Sequence, residues 1–133
     1  MKKIFKILVL IVMVSSCCPK KETNNKELII TQNNKNSNSI AFVLKSIVND
    51  SRCPEGVNCV WAGEIEAIVS VYKNNVLVEE SNLVFSSKKN QTNIDWFMKY
   101  TSKKIESIRV LPYPKEGIKI NPKDYYIKID YSK

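Results

Sequence analysis

Val60-Trp61-Ala62-Gly63-Glu64-Ile65-Glu66-Ala67-Ile68-Val69-Ser70-Val71-Tyr72 is the stretch on which the fold turns. In an extended chain Ile65, Ala67, Val69 and Val71 share one face. Glu64, Glu66, Ser70 and Tyr72 point the other way, with Ile68 the apolar exception. Strand side chains alternate between two faces, so the pattern predicts a strand over 60–72 with one face in a core and the other in water. Asn74-Asn75 follows at once. Asparagine tolerates positive φ, and the pair predicts a tight hairpin into a strand over 76–79.

Short apolar runs continue on both sides. Ile40, Phe42 and Leu44 alternate, and Ile47-Val48 closes that run. Leu83–Ser86, Ile105–Leu111, Gly117–Ile120 and Tyr125–Tyr131 follow, and in the last of these Tyr125, Ile127, Ile129 and Tyr131 share a face. Pro112-Tyr113-Pro114 ends the Ile105–Leu111 strand, because proline cannot donate to a ladder. Asn93–Tyr100 reads two ways. Ile94, Phe97 and Met98 have helical spacing with Asn93 as an N-cap, and a strand is the alternative. Many short strands separated by turn residues predict an all-β fold, a small antiparallel β-sandwich or open barrel with one short-loop disulfide.

A chain of 133 residues allows one domain and a modest core. There is no histidine, which removes the commonest general base, the usual zinc ligand and the Ser-His and Cys-His catalytic pairs. No cofactor and no metal is expected. Of the 21 basic residues Lys2, Lys3 and Lys6 fall in the first 16, leaving 18 against 13 acidic residues. Lysines spread along the chain in this way read as a solvated surface, and no nucleic-acid partner is expected.

The first residues are an export signal in layout. Met1-Lys2-Lys3-Ile4-Phe5-Lys6 is basic, and Ile7 to Val14 is an unbroken apolar run. As a helix that run is about 12 Å long, too short for a hydrocarbon core of about 30 Å, so it reads as a secretory leader. It ends in Val14-Ser15-Ser16-Cys17, which resembles the lipobox of bacterial lipoproteins. The resemblance implies cleavage before Cys17, a diacylglycerol thioether on it and usually an acylated amine. Two or three acyl chains make a stable anchor, at about 0.8 kcal/mol per buried methylene. The expected organisation is a leader over 1–16, a flexible tether over 17–38 and an all-β domain over 39–133. The tether spans about 25 Å on average, and its Leu28–Thr31 stretch can add an edge strand. Cys18 reads as a free thiol or an intermolecular disulfide partner.

Asp50-Ser51-Arg52-Cys53-Pro54-Glu55-Gly56-Val57-Asn58-Cys59-Val60-Trp61-Ala62-Gly63 is the one motif with character. In an exported protein Cys53 and Cys59 are expected to be oxidised to a disulfide. Cys-Pro-Glu-Gly fits a type I turn that brings them together. The stretch resembles a family of small bacterial secreted proteins and lipoproteins that carry an Asp-Ser-Arg-Cys-Pro…Cys-Val-Trp-Ala-Gly signature. That resemblance implies a β fold, with a short strand before the motif, a long one after it, and a Pro-x-Pro turn before the last strand. It implies no activity.

Arg52, Trp61 and Trp96 are the candidate partner-binding residues, and each has a plainer role beside it. Arg52 can grip an anion through its fork or pair with Asp50 or Glu64. Trp61 can stack on a sugar or a partner side chain, or pack on the disulfide over the end of the core, the role favoured by its place in the motif. Trp96 belongs to Trp96-Phe97-Met98 with Tyr100, an aromatic concentration that is more often core than patch. Gly63 marks a bulge or a close backbone approach. The expected function is that of a non-catalytic, lipid-anchored envelope protein with an envelope protein or glycan partner, at the outer membrane rather than the inner. A carboxylate-based hydrolase of envelope polymers and a structural or stress-related accessory are the alternatives.

Overall fold

The structure, a computed structural model, describes residues 27–33 and 39–132. The leader, Cys17, Cys18 and most of the tether lie outside the described residues. Asn74 and Asn75 take φ of 50° and 64°. Two consecutive positive values are what a two-residue type I′ hairpin needs. The strands it joins are β3 (Ile65–Lys73) and β4 (Val76–Phe85). With β2 (Ile40–Asp50) they form an antiparallel sheet in the order β2-β3-β4. A second antiparallel sheet has the order β1-β6-β5, from β1 (Glu27–Ile30), β5 (Ile105–Leu111) and β6 (Tyr126–Tyr131). The fold is therefore mostly β, two three-stranded sheets not closed into a barrel. The expected edge strand near Leu28 is present as β1.

Alternation holds on the core face of β3, whereas Ser70, on the face expected in water, is buried as well, opposite the buried Val43 of β2. Ile65, Ala67, Val69 and Val71 of β3 and Ile127 and Ile129 of β6 are buried in one cluster with Ile30, Leu44 and Phe97. Fully burying a side chain of this size contributes about 1.5–3 kcal/mol, so these positions hold the sheets face to face. The backbone also joins the sheets at one corner, where the Leu44 N–H donates to the Thr31 carbonyl at 3.2 Å.

Three strand expectations are corrected. The strand predicted from Val60 begins only at Ile65, because residues 60–63 belong to a loop. The two pieces predicted at 76–79 and 83–86 are one strand. The polar residues between them each find a partner: Glu80 accepts from Ser70 and Lys45, Ser81 donates to Glu79, and Asn82 donates to Glu66. Gly117–Ile120 is not a strand; only its Ile118 pairs, in an isolated bridge with Lys115. A 3-10 turn over Pro122–Asp124 follows, capped by the Asn121 side chain.

The ambiguous segment is a helix, α1 (Asn90–Met98), lying against β4 and β5. Asn93 is not its cap. It sits buried within the helix and its Nδ2 donates to the Val84 carbonyl at 2.9 Å, tying α1 to β4. Met98, expected on the buried face, is exposed, and Trp96 is buried instead.

Candidate functional site

The site is built at the exit of β2. Arg52 follows the strand by two residues and folds back on its end. Its Nε donates to Asp50 Oδ1 at 2.8 Å and its Nη2 to Asp50 Oδ2 at 2.6 Å. The remaining guanidinium N–H groups cross to the other sheet. Nη1 donates to the Val110 carbonyl at 2.6 Å and Nη2 to the Pro112 carbonyl at 3.0 Å. The Tyr113 ring lies 4.8 Å from the guanidinium carbon, a cation–π contact. The Tyr125 hydroxyl completes the knot by donating to Asp50 Oδ2 at 3.0 Å. Burial pushes the Asp50 carboxyl up, but the hydrogen bonds and charge of Arg52, with the Tyr125 hydroxyl, outweigh it and hold the carboxyl below its ordinary value. The Tyr125 phenol is raised, first by burial and then by the carboxylate it touches.

From this knot the chain leaves as a narrow neck. The Ser51 N–H donates to the Glu64 carbonyl and the Cys53 N–H to the Ala62 carbonyl, both at 2.9 Å. The Ser51 hydroxyl donates to the Glu64 carbonyl and accepts from the Glu64 N–H. Gly63 makes the neck possible. Its φ is +70°, and a Cβ built there would lie 1.9 Å from the Ser51 carbonyl oxygen. Only a residue without a side chain fits.

Beyond the neck the Cys53–Cys59 disulfide closes the loop. The turn inside it sits one residue later than expected. The Val57 N–H donates to the Pro54 carbonyl, and Gly56 at the third position has φ +85°, as a type II turn requires. The Glu55 N–H donates to the Pro114 carbonyl at 2.9 Å, so the loop also leans on the Pro112–Pro114 turn of the other sheet.

This scaffold presents Val60 and Trp61 to solvent, 99% and 77% exposed. The expectation that Trp61 packs on the disulfide and covers the core is corrected. Placed outside β3, it has no sheet face to pack on. A groove of about 360 Å³ runs beside it, between the neck and the β4–α1 turn, and its lining includes Trp61, Ala62, Glu64, Ser86, Ser87 and Lys88.

The three candidate residues are not brought together. Arg52, with 7% of its side chain exposed, has its fork occupied inside the protein, the Asp50 pairing weighed from sequence. Trp96 is buried among Phe42, Phe97 and Tyr100, with ring centroids 4.9–6.3 Å away. Its Nε1–H donates to Glu79 at 2.7 Å. The Tyr100 hydroxyl donates to the other oxygen of Glu79. These two donors, Tyr100 first, lower the Glu79 carboxyl and the same bond raises the Tyr100 phenol. Trp61 alone offers its ring to solvent.

The chain matches no family model, no curated protein and no solved structure. The site is thus read from its own chemistry. The sequence reading missed Tyr113, Tyr125 and Glu79. No spacing rule joins Tyr125 to Asp50, 75 residues apart. Among the described residues no group of three or more His, Cys, Asp or Glu side chains is placed to share a metal ion.

Proposed function

We propose that the chain is a lipid-anchored, non-catalytic binding protein of the bacterial cell envelope, held by Cys17 and presenting Trp61 to an envelope protein or glycan. The observation that carries this is an exposed indole on an over-determined loop. The indole is not a lone exposed apolar group: Val60 beside it and Val57 on the same loop are exposed too. Grouped exposed apolar side chains mark interaction surfaces, and tryptophan is enriched where binding energy concentrates. The disulfide, the neck and the Arg52 knot order the loop in advance, so little entropy is lost on binding.

The lipid anchor rests on Val14-Ser15-Ser16-Cys17. Nine residues lie between Cys17 and Glu27, and the ten steps from one to the other reach at most about 36 Å whatever their conformation. Glu27 pairs with Asp130, at the end of its sheet away from the Tyr125 and Val110 contacts to the loop. The chain thus enters that sheet at the end remote from the Trp61 loop, which favours an anchor behind and a binding loop in front. The outer membrane is the proposed location.

The test uses protein from its own host. Mass spectrometry is expected to find an acylated Cys17, and Cys17→Ser to move the protein from the membrane to the soluble fraction. Trp61→Ala is expected to leave thermal stability unchanged and to abolish co-purification of envelope material. An unmodified, soluble amino terminus would refute the anchor, and unchanged co-purification would refute the role of Trp61.

A further inference from the structure

The geometry points to a neutral saccharide as the occupant of the groove beside Trp61. This rests on the binding role proposed above and names its ligand class. The groove measures about 360 Å³, at the small end of ligand sites. That suits one or two sugar rings better than a helix or strand of a partner.

Its lining decides the chemistry. Trp61 and Ala62 are the apolar side chains, while Ser86, Ser87, Glu64 and Lys88 are polar. A purely apolar ligand would strip water from those four without repaying their hydrogen bonds. Glu64 disfavours an anion and Lys88 disfavours a cation, and neither makes a side-chain ion pair with another described residue. A ligand that satisfies a carboxylate acceptor, an ammonium donor and hydroxyls at once is a neutral polyhydroxyl.

The face of the Trp61 indole supplies the remaining element. Its π-surface is electron-rich and attracts the slightly positive C–H edge of a pyranose, as it attracts the edge of another ring. Stacking fixes the sugar plane, and Glu64, Ser86, Ser87 and Lys88 then meet its rim of hydroxyls.

The experiment titrates the lipidated mature chain, in a detergent without a sugar head group, with chitotetraose, cellotetraose and maltotetraose. A Trp96→Phe background leaves Trp61 as the reporter, and calorimetry gives the affinity. A saturable change in Trp61 emission with at least one probe is expected. Glu64→Ala should weaken the affinity about tenfold, the range for losing a hydrogen bond to a charged group, and by calorimetry, in the parent chain, Trp61→Phe should weaken it less than Trp61→Ala. Thermal unfolding of each variant unchanged from that of its own background guards against misfolding. A flat response up to about 10 mM, with envelope protein still captured through Trp61, overturns the saccharide while leaving the binding role intact. A flat response with no Trp61-dependent capture overturns both.

Discussion

Asp50 and Arg52, two residues apart in sequence, form a fork-to-fork ion pair with 12% and 7% of their side chains exposed. Arg52 thereby carries a charge from the end of one sheet to the Val110 and Pro112 carbonyls of the other. Removing one member of a buried pair strands the other, at a cost of about 3–5 kcal/mol. Arg52→Ala is expected to destabilise the domain by that amount in urea unfolding. Arg52→Lys keeps the charge but cannot reproduce the fork, and should recover only a minor part of the loss. A loss under about 1 kcal/mol for Arg52→Ala would show the knot to be ornamental.

Stability should fall towards both extremes of pH. Asp50, Glu79 and Glu80 have carboxyls lowered from ordinary values of 3.8, 4.5 and 4.5, Asp50 despite its burial, Glu79 chiefly by Tyr100 and Glu80 chiefly by Lys45. A lowered folded value contributes stability above the unfolded value that disappears as pH falls through the folded one. The acid loss therefore starts near pH 4.5 and continues below 3.8. Tyr100 and Tyr125 are raised from 10.0, so their contribution is present below pH 10 and lost as pH climbs past it. Urea titrations across the range should show both slopes, and Asp50→Asn should start less stable with a shallower acid limb.

Gly63 and Gly56 both have positive φ but differ in surroundings. A Cβ at Gly63 meets the Ser51 carbonyl at 1.9 Å, whereas at Gly56 nothing lies within 4 Å. Gly56→Ala should cost about 1–2 kcal/mol, the penalty of left-handed backbone alone. Gly63→Ala adds a clash with backbone that cannot move aside, and should cost more than about 3 kcal/mol. Equal thermal shifts in the two variants would contradict the neck geometry.

Alternation was legible wherever a strand buries one face, so β3, β6 and the Asn74-Asn75 hairpin could be read from neighbouring residues. β4 was not read whole, because the partners that let Glu79, Glu80 and Asn82 remain in a strand lie on α1, β2 and β3. The site was legible in part. The motif marked the disulfide and the close approach at Gly63. Alternation carried Trp61 into the predicted strand, and its closeness to the disulfide set it over the end of the core, since neither signal registers that the neck turns the chain out at Gly63. Its exposure depends on the Ser51–Glu64 and Cys53–Ala62 rungs, which are tertiary facts.

The disulfide should stabilise the loop without defining the fold. Its cysteines stand six positions apart in sequence, and closing so small a loop contributes about 2–2.5 kcal/mol on the chain-entropy model. The neck bonds and the Arg52 knot do not pass through the sulfurs. The Cys53→Ser/Cys59→Ser double variant is thus expected to stay folded with native circular dichroism, to lose about that amount, and to admit protease between 54 and 60. Complete unfolding would mean that the neck cannot stand alone.

The two tryptophans should report opposite environments, which tests the structure at its decisive point. Trp96 is buried with its N–H held by Glu79, while Trp61 stands in water. In a Trp96→Phe protein the remaining emission should be that of a solvated indole, quenched freely by acrylamide and little changed by unfolding. In a Trp61→Phe protein it should be blue-shifted, protected from quencher, and shifted strongly to the red on unfolding. The stabilities should diverge as well. Trp61→Phe removes an exposed ring and should stay within about 0.5 kcal/mol of the parent. Trp96→Phe empties part of the aromatic cluster and removes one donor from Glu79, which keeps those of Ser81 and Tyr100, and should cost clearly more than the Trp61 change. A protected Trp61 would place the ring back on the core and remove the surface on which the binding role depends.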